Sequence, residues 1–148
     1  FLSILTANVT TILMGISYLL KRKMLASGGS ITIISSIWQE RARSRKLSYS
    51  VSKSALKGVV MSLVSDLSEM GIRINAVLPG PIDNPMTRAN LTDPQIKEFA
   101  FKTPMRRLVK VDEVLETILF LMSTSASGIT SNFIKLDLGF SDVETFEN

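Results

Sequence analysis

Ser30-Ile31-Thr32-Ile33-Ile34-Ser35 and Ile72-Arg73-Ile74-Asn75-Ala76-Val77-Leu78 bracket the stretch that decides the fold. Both runs are short and rich in β-branched residues, the composition of strands. The first is almost continuously apolar, which suits a strand buried on both faces of a parallel sheet. Between them, from about Ser48 to Met70, Leu56, Val60, Leu63, Leu67 and Met70 recur on one helical stripe. Gly71 supplies the C-terminal stop of that helix. Strand, long helix and strand in succession argue for an α/β fold around a parallel sheet.

The flanks continue the alternation. Leu2, Leu5, Val9, Ile12, Leu13, Ile16 and Leu20 recur at helical spacing, which predicts an amphipathic helix with one buried face. Residues 1–20, followed by Lys21-Arg22-Lys23, have the length of a membrane span. Ser3, Thr6, Asn8, Thr10, Thr11 and Ser17 interrupt the apolar run, so a core helix is expected and no membrane partner. No basic segment precedes it, as a signal peptide would require. After the second strand, Pro79-Gly80-Pro81 opens a loop. Thr92-Asp93-Pro94-Gln95 resembles a capping box that starts a short helix to about Phe101. Val111 to Met122 reads as an amphipathic helix with Val111, Val114, Leu115, Ile118, Leu119 and Met122 on one side. Phe133 to Leu136 reads as a last strand. Residues 1–148 form one domain, with no repeat, low-complexity segment or linker.

Composition narrows the chemistry. The chain has 148 residues, 45% hydrophobic and 20% charged, which are globular proportions. It contains no Cys and no His. It can therefore build no disulfide, thiolate zinc site, Ser-His-Asp triad or His metal ligand, and no metal is expected. Proton chemistry falls to Asp, Glu, Lys or Tyr. Lys and Arg exceed Asp and Glu by 17 to 13, a net charge of +4, and the basic residues are mostly dispersed. The exception is Arg41, Arg43, Arg45 and Lys46, a short run without interleaved aromatics, so no nucleic-acid partner is expected. The first residue is Phe, from which the chain is expected to be processed or to begin part-way through something larger.

The sharpest motif is Tyr49-Ser50-Val51-Ser52-Lys53. A Tyr and a Lys four apart on a helix share a face. The ammonium favours the phenolate and lowers the Tyr pKa, as acid–base work near neutrality requires. By itself this spacing also describes a solvated pair. Ser36 follows the first strand, 13 residues before Tyr49. Ligands of open α/β sheets bind at the carboxyl ends of strands, so the Ser36 hydroxyl and Tyr49 can converge on one carbonyl. Ser36 can equally be a turn residue or a helix cap. Asn8 interrupts the first helix. It can hold a water and position Lys53, or make an ordinary interhelical hydrogen bond.

In order and spacing, Asn8, Ser36, Tyr49 and Lys53 resemble the catalytic pattern of the short-chain dehydrogenase/reductase family. Further segments resemble it too: Ile72-Arg73-Ile74-Asn75-Ala76-Val77-Leu78-Pro79-Gly80-Pro81-Ile82, Pro104-Met105-Arg106-Arg107-Leu108 with Asp112-Glu113-Val114, and Ser127-Gly128-Ile129-Thr130 with Leu136-Asp137-Leu138-Gly139. The resemblance spans essentially the whole chain. It implies a partial Rossmann-like, doubly wound parallel sheet, of which these are the last three of seven strands. It also implies hydride transfer between NAD or NADP and a small carbonyl or alcohol. Tyr49 would be the general acid or base, Ser36 would hydrogen-bond the substrate oxygen, and Lys53 would depress the Tyr pKa and bind the nicotinamide ribose. Asn8 would hold a proton-relaying water. Pro79, Gly80 and the Ile82 backbone would meet the nicotinamide carboxamide, with Asn84 where the family often has Thr.

The eight glycines, at 15, 28, 29, 58, 71, 80, 128 and 139, cannot make a Gly-rich phosphate loop. The resemblance implies that roughly the first 100 residues of the fold are missing. The strand at Ile31–Ile34 is then expected to present an open edge. Further expectations from the resemblance are a homodimer or homotetramer built on the long helices, and a cytoplasmic location. The Arg41–Lys46 run lies between Ser36 and Tyr49, either to recognise an anionic substrate group or as a solvated loop. A rival reading takes the chain as a truncated, non-catalytic assembly module.

Overall fold

A computed structural model describes residues 1–41 and 43–144. Three strands, β1 (Ser30–Ile34), β2 (Arg73–Pro79) and β5 (Phe133–Leu136), form a parallel sheet in the order β1-β2-β5. Ile31 pairs with Ile74 and Ile34 with Val77, while Val77 pairs with Ile134 on the other side. β2 is thus the middle strand, and its residues from Ile74 to Pro79 are all buried. Alternation along β2 sends Ile74, Ala76 and Leu78 into the main core. That core lies under the second part of the first helix and under α3 (Leu47–Glu69), whose Leu56, Val60 and Leu67 are fully buried. The opposite face of the sheet is covered by α6 (Val111–Met122), which packs on β1 and β2. β1 pairs on one side only, so the expected open edge is present and Ile34 is 51% exposed.

The first helix runs from Leu2 to Lys21 in three parts: α1 (Leu2–Leu5), a π-turn at Thr6–Thr10, and α2 (Thr11–Lys21). By length and composition this helix could cross a membrane. In the fold, Ile16 is buried and Val9, Ile12 and Leu20 pack against the core. Leu2, 76% exposed, and Leu13 lie outside it, contrary to the single buried stripe expected from spacing. The π-turn shifts the residues before it: Thr11 N–H donates to the carbonyl of Thr6, five residues back, so the apolar rows before and after the turn no longer line up. Leu13, inside the regular α2, lies at the side of the face that Ile12, Ile16 and Leu20 turn to the core.

The loop expected after Pro81 holds more structure than its sequence suggests. β3 (Ile82–Asp83) pairs in parallel with β4 (Val109–Lys110), and α4 (Pro85–Asn90) follows β3 directly. α5 (Asp93–Lys102) begins at the expected Thr92–Gln95 capping box. A second capping box opens α6, where Glu113 accepts a bond of 2.8 Å from the Lys110 backbone N–H. Glu113 also takes a bidentate pair from Arg107 at 2.9 and 2.6 Å. Those bonds, Arg107 first and Lys110 second, hold the Glu113 carboxyl at about 2, well below its ordinary 4.5. A depressed carboxyl pKa stabilises the fold above pH 4.5, and that contribution is lost as pH falls towards about 2. Glu113→Gln is therefore expected to lower Tm by a few degrees at pH 7. The gap from the parent should close on acidification across that window; thermal melts at pH 7, 4 and 2.5 check this.

Asn75, inside β2, is fully buried. Its Nδ2 donates to the Ile129 carbonyl at 2.8 Å, and its Oδ1 accepts from the Asn132 backbone N–H at 3.0 Å. One side chain thus fastens the turn that delivers β5 to the sheet. Asn75→Ala removes both bonds, while the Ile129 carbonyl keeps its bond from Arg73 and Asn132 is exposed, so the cost is about 1–3 kcal/mol. Urea titration of the two proteins measures it.

Candidate active site

The site is built at the carboxyl end of the sheet, where open α/β folds place ligands. Beyond β1 the chain stays extended at Ser36, which is 6% exposed and caps the short 3-10 turn Ile37–Gln39. The Ser36 Oγ accepts from the Trp38 backbone N–H at 3.4 Å, which leaves the Ser36 hydroxyl hydrogen available to another acceptor. Neighbouring Ser35 is also buried and donates to Gln39 Oε1 at 2.9 Å, stiffening the corner.

α3 begins at Leu47, so Tyr49 sits in its first turn and Lys53 one turn later on the same face. The Lys53 Nζ lies 5.7 Å from the centre of the Tyr49 ring and donates to the Ile34 carbonyl at 3.2 Å. Burial lowers the pKa of the Lys53 ammonium from its ordinary 10.5. Asn8, at the crest of the π-turn, does not reach Lys53 through any bond among the described residues. Its Nδ2 donates to Ser52 Oγ at 2.9 Å, and Ser52 donates in turn to the Tyr49 carbonyl at 2.8 Å. Asn8 therefore fastens the first turns of α3 from outside.

Pro79 closes β2 as a buried residue and Gly80 follows it. A Cβ at Gly80 would stand 2.8 Å from Asp137 Cβ, so this glycine is needed for β2 to end against β5. Ile82 enters β3, and Asn84 caps α4, its Oδ1 accepting from the Thr87 N–H at 2.8 Å.

A cleft of about 480 Å³ opens between these elements. Of the residues singled out by spacing and resemblance, Ser36, Tyr49, Gly80, Ile82 and Asn84 line it. Lys53, Pro79 and Asn8 do not; Lys53 stands beside the cleft, next to the Tyr49 ring. Trp38, Arg43 and Phe99 also line the cleft, and spacing gave no hint of Trp38 or Phe99. The Arg43 guanidinium lies 5.1 Å from the centres of both rings, so the aromatics missing from the basic run in sequence are supplied by the fold. No group of three or more acidic side chains that could hold a metal ion occurs among the described residues.

The family model described as enoyl-(acyl carrier protein) reductase matches residues 1–141. The chain belongs to the short-chain dehydrogenase/reductase family. Within this family it is 34% identical over 128 residues to the uncharacterized oxidoreductase YmfI of Bacillus subtilis, covering 83% of this chain and 52% of that protein. It is 37% identical over 115 residues to the L-xylulose reductase of Caenorhabditis elegans, covering 77% and 46%. Among solved structures, a short chain dehydrogenase family protein from Francisella tularensis superposes with a TM-score of 0.88 at 27% identity, covering 97% of this chain and 64% of that one. The chain spans about half the length of the curated relatives it matches. These relatives are named as oxidoreductases, which does not favour the reading as a non-catalytic module.

Proposed function

We propose that this short-chain dehydrogenase/reductase chain carries the catalytic side of an NAD- or NADP-dependent oxidoreductase acting on a small carbonyl or alcohol. The observation that supports this most is one cleft faced by both the Ser36 hydroxyl and Tyr49, with the Lys53 ammonium behind the Tyr49 ring. In reduction, Tyr49 Oη gives its proton to the substrate oxygen; in oxidation it takes that proton back. Ser36, already an acceptor for the Trp38 N–H, donates its own hydrogen to the same oxygen and orients it. The Lys53 ammonium, 5.7 Å from the Tyr49 ring centre, faces the charge that proton transfer leaves there, and water restores the proton.

The residues present suit the nicotinamide riboside end of the cofactor. Lys53 has three N–H donors and the Ile34 carbonyl takes one, which leaves donors for ribose hydroxyls. Gly80, Pro81, Ile82 and Asn84 line the same cleft as Tyr49 and suit the carboxamide. When bound, the nicotinamide supplies or accepts the hydride at the substrate carbon. The reading carries with it a cytoplasmic homodimer or homotetramer without nucleic-acid or membrane partners. Exposed Met14, Tyr18 and Met61 on the long helices support the association.

The name of the Caenorhabditis elegans relative makes L-xylulose the first substrate to try. Absorbance at the reduced nicotinamide band, with NADH and NADPH in turn, is expected to fall when L-xylulose or another small ketone is added. If neither cofactor is consumed with any keto sugar or ketone, the proposal is wrong.

A further inference from the structure

We infer that Arg43, held against the rings of Trp38 and Phe99, is the anchor for an anionic group on the substrate, so that the cleft takes carbonyl compounds bearing a carboxylate or phosphate. The cleft's described lining includes two cations, Arg43 and Lys46, and no carboxylate. The ion pairs among the described residues are Arg88–Asp83, Lys102–Glu98, Arg107–Glu113 and Lys135–Asp142, and none of them engages Arg43 or Lys46. The neighbouring, larger cleft that shares Arg43 is also lined by Glu98, Asp142 and Glu144; Glu98 is paired with Lys102 and Asp142 with Lys135, and none of the three lines the cleft that holds Ser36 and Tyr49.

Two ring contacts hold Arg43: its guanidinium stands 5.1 Å from the centres of both Trp38 and Phe99. No hydrogen bond or ion pair among the described residues takes up its N–H groups, and a planar fork of donors matches carboxylate and phosphate oxygens. Trp38 connects this anchor to the chemistry, because its backbone N–H holds Ser36 Oγ. An anion on Arg43 therefore places the rest of its carbon chain along the cleft towards Ser36 and Tyr49. A solvated loop would need neither the aromatic clamp nor a cleft wall free of acids.

The inference rests on the oxidoreductase reading only where turnover is measured. Trp38 is the chain's single tryptophan, so intrinsic fluorescence reports on Arg43 directly. Inorganic phosphate and levulinate, titrated at constant ionic strength, are expected to give a saturable change with at least one of them. Methyl levulinate should give none. Arg43→Gln should weaken the response at least tenfold, and Arg43→Lys less, since it keeps the charge without the fork. Should Arg43→Gln misfold, Lys46→Gln, at an exposed position, should weaken it about threefold by removing one of the two cations. No saturable change with either anion, or an unchanged one in Arg43→Gln, overturns the inference.

In turnover, two matched pairs are compared: dihydroxyacetone phosphate against dihydroxyacetone, and levulinate against methyl levulinate. At least one pair is expected to favour its anion tenfold or more in kcat/KM, with the ratio falling towards one in Arg43→Gln. The pair that responds tells phosphate from carboxylate. Equal efficiencies within both pairs overturn the inference. If no pair consumes nicotinamide, the oxidoreductase reading fails while the fluorescence titration still decides this one.

Discussion

Tyr49→Phe is expected to lower kcat by about 10³-fold, within the range for loss of a positioned general acid. The substitution removes one oxygen and leaves the ring, its place in the first turn of α3 and the Lys53 ammonium 5.7 Å from its centre. Cofactor and substrate affinities should therefore stay within about threefold, since the cleft keeps its shape and charge. Steady-state kinetics with NADH or NADPH, together with a thermal melt to show an intact fold, make the measurement. A variant that keeps more than a tenth of the parent's kcat would remove Tyr49 from the proton-transfer role.

Lys53→Met separates function from stability in the other direction. Turnover should fall by about 10²–10³-fold, because the phenolate on Tyr49 loses its nearby cation and the ribose loses a donor. The fold, by contrast, should become slightly more stable at neutral pH. Burial depresses the Lys53 pKa below 10.5, so the native state binds this proton less readily than the unfolded chain does. By linkage, native stability rises with pH through the interval between the lowered pKa and 10.5. At pH 7 the buried charge is a cost that Met does not carry. The Tm advantage of Lys53→Met should thus be present at pH 7 and shrink as pH approaches 10.5. An advantage that grows with pH would contradict the assignment. Coexisting loss of turnover and gain of stability is the pattern of a group kept for its chemistry.

Much of this was legible from residue spacing. β1, β2, β5, α3, α5 and α6 appear where β-branched runs, apolar stripes, Gly71 and the Thr92 box place them, to within two residues. These signals are local, and parallel strands buried on both faces are compositionally plain. Tyr49 and Ser36 were legible because each lies at the start or end of such an element. Long-range partners were not. Ser52, which receives the Asn8 amide, lies 44 residues away and carries no pattern of its own. The β3–β4 pair has two residues a side, too few to show any period. Trp38 and Phe99 come from separate segments, and only the fold brings both rings to 5.1 Å from the Arg43 guanidinium. The stripe expected on α6 is also divided: Val114 is buried, while Val111, Leu115, Leu119 and Met122 are about half exposed, and Leu121, outside the expected stripe, is buried. Periodicity gives the apolar positions but not how wide a face the neighbouring layer covers.

The π-turn at Thr6–Thr10 bears on any effort to engineer this chain. A π-turn spends one residue more than an α-turn would, and its crest is where Asn8 leans out to Ser52. Two routine thermostabilising edits target segments like this one: trading Thr for a stronger helix former, and trimming a residue to restore regular winding. Regular winding at full length would bring Leu2 and Leu5 back into line with Ile12 and Ile16, whereas trimming a residue would keep their present offset. Both edits alter the backbone that carries Asn8 to Ser52, and with it the bond that fastens the first turns of α3. The irregularity that a design filter would flag as a flaw is where the first helix is tied to the base of α3.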